Sequence, residues 1–128
     1  MKYRYYAYNK LEKDRWGISQ DLTIYHIAQN KKLDQKNLSI KLNITPASVS
    51  VIVNKLESEG LLKRIPDEKD GRKFNLLLTE KGQNLVPKIR KSWLKLQKEI
   101  TNEFTENENA NLLYLLQKVE KNLDKLIQ

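Results

Sequence analysis

The 128 residues are enough for one domain with an appended helical element, and a hydrophobic content of 39% supports one modest core. The absence of cysteine excludes disulfides, thiolate nucleophiles and thiol redox switches. No run approaches the roughly 18 apolar residues a membrane helix needs, and the basic residues 1–6 lack the apolar stretch of a signal peptide, so a cytoplasmic location is expected. The formal net charge is +8 and is unevenly placed: residues 1–98 carry 21 Lys+Arg against 10 Asp+Glu, whereas residues 99–128 carry 3 against 6. That asymmetry suits one surface for a polyanion and another for a different purpose.

Proline and glycine are scarce, so the chain reads as mainly α. A short first helix is expected over about residues 3–14, bearing the cluster Tyr3, Tyr5, Tyr6 and Tyr8. Ser19 is a candidate N-cap for a helix to about Gln29, with Leu22, Tyr25, Ile27 and Ala28 inward. Asp34 is a candidate cap for the next, which ends near Leu42. In Asn43-Ile44-Thr45-Pro46, asparagine tolerates the left-handed conformation that closes a helix, threonine caps the following one, and proline suits its first position. That helix runs to about Glu59 and stops at Gly60, with Val49, Ile52, Val53 and Leu56 on one face.

Leu61-Leu62-Lys63-Arg64-Ile65 reads as a strand, residues 66–71 as a charged turn, and Phe74, Leu76 and Leu78 as the alternating face of a returning strand. Thr79 then caps a long helix carrying Leu85, Ile89, Trp93, Leu96, Ile100 and Phe104, with a kink expected at Pro87. Thr105-Glu106-Asn107-Glu108 matches a capping box. The last helix spaces Leu112, Leu116, Val119, Leu123 and Leu126 in a 4-3-4-3 seam.

Two helices joined by a tight turn and followed by a two-stranded hairpin make a winged helix-turn-helix. Small Ser39 after Leu38 lets the two helices cross closely, with Leu42, Ile44, Val49 and Ile52 between them. The opposite face of the second helix presents Ala47, Ser48, Ser50, Val51, Asn54 and Lys55, beginning at Thr45. These short polar or small apolar side chains can enter a major groove and touch base edges, phosphates or thymine methyls.

The segment from Ile18 to Leu85 resembles the MarR family of bacterial regulators. Its most specific element is Asp70-Gly71-Arg72-Lys73-Phe74-Asn75-Leu76-Leu77-Leu78-Thr79-Glu80-Lys81-Gly82, which matches the family's wing pattern. Leu56, Gly60 and Arg64 match the end of the recognition helix and the first wing strand. The segment before Ile18 is shorter than is usual in the family. The resemblance implies one domain over residues 1–128, with a winged-helix lobe at 18–82 and a helical dimerisation region at 1–17 and 83–128. It also implies that Arg72 enters the minor groove, held by Asp70 on a turn that also carries Lys69 and Lys73. A narrow minor groove concentrates negative potential, and a planar guanidinium fits it.

The expected function is therefore that of a homodimeric, double-stranded-DNA-binding transcription regulator, a repressor on a palindromic operator. The competing interpretation is a winged-helix protein–protein interaction module without specific DNA binding. Tyr6, Trp16, Tyr25 and His26 fall where the family places effector pockets, but such residues are more often plain core, and no effector ligand is assigned. No enzymatic activity, cofactor or metal is expected. There is one histidine, no phosphate-binding glycine loop, and Glu106, Glu108 and Asp124 read as a solvated acidic face.

Overall fold

The computed structural model describes residues 18–127: α1 (Ile18–Gln29), α2 (Gln35–Leu42), α3 (Pro46–Ser58), β1 (Leu62–Pro66), β2 (Phe74–Leu78), α4 (Glu80–Ile100) and α5 (Glu106–Ile127). The expected helix over residues 3–14, the tyrosine cluster and Trp16 lie outside the described residues. The architecture is the mainly α one expected, a helix-turn-helix followed by a hairpin and further helices.

The turn of the helix pair follows from its capping residues. The Asp34 carboxylate accepts from Asn37 N–H at 2.7 Å and so satisfies one of the amides that the first turn of α2 leaves unpaired. Asn43 closes α2 at φ 52°, ψ 47°. In that left-handed conformation its N–H donates to Ile40 O, and Ile44 N–H donates to Ser39 O, each at 3.2 Å. Thr45 Oγ1 accepts from Ser48 N–H at 3.2 Å, and Pro46 opens α3. Gly60 turns the chain out of α3 at φ 72°.

Thr79 Oγ1 donates to Gly60 O at 2.6 Å and accepts from Gly82 N–H at 3.2 Å, so one hydroxyl joins the end of α3 to the start of α4. Lys81 Nζ adds a bond to Glu59 O at 2.9 Å. The hairpin is antiparallel, with Leu62 opposite Leu78, Arg64 opposite Leu76 and Pro66 opposite Phe74. Leu76 N–H also donates to Leu33 O at 2.8 Å, which ties the returning strand to the segment between α1 and α2.

The described residues divide into two compact units at Trp93/Leu94. The core of the first joins Ile24 and Ile27 of α1, Leu33, Leu38 of α2, and Val49, Ile52, Val53 and Leu56 of α3. The hairpin and α4 add Leu61, Leu62, Leu76, Leu78 and Ile89. Each such aliphatic side chain contributes about 1.5–3 kcal/mol on burial. In the second unit α5 buries none of its described residues.

Four sequence expectations need correction. Ser19 is not a cap: α1 already begins at Ile18, and Ser19 O accepts the Thr23 hydroxyl at 2.6 Å. The inward arc of α1 is centred on Thr23, Ile24 and Ile27, with Leu22, Tyr25 and Ala28 only half-buried, because α2, α3 and β2 all meet this helix and broaden its covered side. Phe74 stands at the turn end of the hairpin, opposite Pro66, and is exposed, unlike Leu76 and Leu78. Phe104 is not on α4: the helix ends at Ile100, and Glu103 takes φ 68° in the turn before α5. The helix otherwise runs through Pro87, and Thr105 Oγ1 caps α5 by accepting from Glu108 N–H at 3.1 Å.

Candidate nucleic-acid interface

Burying Val49, Ile52, Val53 and Leu56 turns the other side of α3 outward. Thr45, Ala47, Ser48, Asn54 and Lys55 are exposed, Ser50 is half-buried, and Val51 is 68% exposed. These are the side chains the sequence assigned to the outer face, and the helical period delivers them there together. Thr45 is partly occupied with its own helix, since its hydroxyl donates to Ser48 Oγ at 2.9 Å.

The second surface is the tip of the hairpin, and it is built around two aspartates. Asp67 Oδ1 accepts from Lys69 N–H at 2.9 Å and Asp70 N–H at 3.1 Å, while Oδ2 accepts from Asn75 Nδ2 at 2.9 Å. The Asn75 bond above all, followed by the two backbone bonds, lowers the pKa of Asp67 from 3.8 to about 2. Asp70 Oδ1 in turn accepts from Arg72 N–H at 3.1 Å and from Arg72 Nε at 3.3 Å.

Arg72 thus stands with its side chain 93% exposed but tethered at its base. A surface pair of this kind contributes about 0–1 kcal/mol to stability. Its structural effect is to aim the guanidinium. Lys69 and Lys73 are exposed on the same turn.

Between the two surfaces lies a network that sequence reasoning missed. Arg64 on β1 donates through Nη1 to Glu57 Oε1 at 2.5 Å and through Nη2 to Asn54 Oδ1 at 2.7 Å. Its Nε and Nη2 both lie 3.3 Å from Gln35 Oε1. Gln35 Nε2 donates to Ser50 Oγ at 3.2 Å. One guanidinium therefore links α2, α3 and the wing. The sequence marked Arg64 only as a family match, and nothing in it pointed to Gln35, which lies 29 positions away. Asp67 did carry a signal, an aspartate two and three residues before the amides it accepts from.

Tyr25 packs edge-on against Trp93, with ring centroids 5.2 Å apart, and against His26 at 6.1 Å. Burial, followed by the charge of Lys41, lowers the pKa of His26 below its usual value. These side chains are engaged in packing. Among the described residues no group of acidic, histidine or cysteine side chains could hold a metal ion, and no helix is long and apolar enough to cross a membrane.

A profile of the MarR family matches residues 18–74. The HTH-type transcriptional regulator SarZ of Staphylococcus epidermidis is 30% identical over 113 residues, covering 84% of this chain and 72% of that protein. Several other curated relatives match a chain that spans only 49–61% of their own length. A MarR transcriptional regulator from Methanosarcina mazei is similar in structure, with a TM-score of 0.85 and 26% identity over 96% of this chain and 88% of that one. The MepR–DNA complex of Staphylococcus aureus gives a TM-score of 0.79 and 25% identity, over 95% and 88%. The relatives are transcriptional regulators and not enzymes. Hairpin, helix pair, profile and relatives agree: this chain belongs to the MarR family of transcriptional regulators.

Proposed function

We propose that the protein is a sequence-specific double-stranded-DNA-binding repressor that occupies a palindromic operator as a homodimer. The observation that carries this is Arg72, 93% exposed and tethered by Asp70 at the tip of a basic hairpin, as a minor-groove probe would have to be. The outer face of α3 supplies the major-groove reader: Ser48, Ser50, Val51, Asn54 and Lys55 follow the capped turn at Thr45, with Ala47 small enough for close approach. Similarity to a protein solved bound to DNA supports the same reading.

Dimerisation belongs to the acidic C-terminal part of the chain. On α5, Leu112, Leu116, Val119, Leu123 and Leu126 are 37–81% exposed, an apolar seam that a second copy would cover. The domain plan follows: a DNA-binding lobe over residues 18–82 and a dimerisation region over 1–17 and 83–128. Exposed Ile40 and Val51 give a protein-interaction module some apolar surface. The exposed Lys63, Lys69, Arg72 and Lys73 of the hairpin fit a polyanion better.

Selection from a random duplex library tests the proposal. The expected product is a palindrome whose half-sites are centred about 10 base pairs apart, or a multiple of that, because one α3 serves each half-site. Enrichment of only non-palindromic or single-stranded sequences would contradict it.

A further inference from the structure

We infer that Asn54 reads its base as a hydrogen-bond donor, selecting an acceptor edge, guanine above all, because Arg64 engages its amide oxygen. This rests on the DNA-binding reading above and goes beyond it to the base that one side chain prefers.

The two ends of an asparagine amide are chemically opposite, and its neighbours decide which end is available. A guanidinium has five donors and no acceptor, so only the oxygen of Asn54 can face Arg64. The contact is short, 2.7 Å from Arg64 Nη2 to Asn54 Oδ1, as expected for a charge-assisted bond. Arg64 is itself fixed on the other side by Glu57 and by Gln35, so it is not free to swing away with the amide.

Among the described residues nothing accepts from the two Nδ2 protons, and Asn54 is exposed. The oxygen keeps a second lone pair, but with a cation against it that lone pair is a poor acceptor. The same polarisation strengthens Nδ2–H as a donor.

The consequence follows from the base edges of the major groove. An asparagine that reads adenine in bidentate fashion needs its oxygen for the N6 amino group and its nitrogen for N7. Here that oxygen is engaged. Guanine presents N7 and O6, two adjacent acceptors, and matches an amide that offers only protons. Ser50 is biased the same way. Because Arg64 takes the Gln35 oxygen, Gln35 Nε2 points to Ser50 Oγ, leaving the serine proton to be donated elsewhere. Arg64 is a positioning residue in this account, acting on the DNA through Asn54.

The experiment selects bound sequences from a random duplex library with the wild type and with Asn54→Ala, Arg64→Met and Arg64→Lys, the folding of each variant being checked by thermal melting. The base pair at which Asn54→Ala loses its preference is the one Asn54 reads. The wild type is expected to prefer a G·C pair there over an A·T pair by at least about tenfold. Arg64→Met frees the amide and shifts the ratio toward adenine, whereas Arg64→Lys, which keeps a cationic donor, moves it less.

A wild-type preference for an A·T pair at that position would overturn the inference and leave DNA binding standing. So would an Asn54→Ala variant with an unchanged site, or a folded Arg64→Met with the wild-type ratio. If Arg64→Met does not fold, the wild-type preference still decides the matter. Failure of the wild type to bind any duplex would overturn the DNA-binding reading and this inference together.

Discussion

Asp67 shows how much of the wing rests on one carboxylate. It is the shared acceptor for two turn amides and the Asn75 side chain, and its pKa of about 2 lies below the ordinary 3.8. A lowered folded-state pKa means that the carboxylate's contribution is fully present above 3.8 and is lost as the pH falls through 2. The Lys69 and Asp70 amide proton resonances should therefore titrate together with a midpoint of about 2 in a pH series followed by NMR. A midpoint near 3.8 would show that the turn is not held this way in solution.

The residue scale is also where sequence reasoning was most uneven. Asp34, Asn43 and Thr45 were legible because capping is local: donor and acceptor lie within three or four positions. Asp70 and Arg72 were legible through a motif. Arg64, Gln35 and Asn54 as a unit were not, since their bonds cross between elements and depend on how those elements pack.

Gly82 makes possible the joint between the first turn of α4 and Leu61, just before β1. A Cβ at this position would lie 2.1 Å from Leu61 O, a backbone atom that already accepts from Thr79 N–H. Gly82→Ala must therefore push the first turn of α4 away from the hairpin, weakening the Thr79 bonds that join both to α3. A loss of about 1–3 kcal/mol is expected, as for other overpacked sites, measured by urea denaturation. Unchanged stability would mean that the joint is looser than the geometry states.

Periodicity gave the buried face of α3 and, at Leu76 and Leu78, that of β2. It misplaced the centre of α1, which is covered from several directions. It also ran α4 on to Phe104, because an apolar stripe carries no information about the left-handed Glu103 that ends the path.

For the whole molecule, the composition already separated a basic chain body from an acidic, leucine-spaced end. Leu116 is 56% exposed, so Leu116→Lys removes little from one folded chain, whereas in a dimer it would bury an unpaired ammonium at several kcal/mol. Sedimentation should find the variant monomeric, folded by circular dichroism and unable to hold a palindromic site. A stable dimer would place the interface elsewhere.

The most direct test of the central claim, that this surface holds duplex DNA through α3 and the wing, is the salt dependence of binding to one selected operator. It is measured for the wild type and for Arg72→Ala over the same range of salt. Released counterions should give the wild type a steep linear fall of log K with log salt, and the variant weaker binding with a slope shallower by about 1 for each arginine removed. Because Arg72 is 93% exposed, its loss should leave the fold intact. An Arg72→Ala protein that matched the wild type in both affinity and slope would mean that the hairpin does not touch DNA.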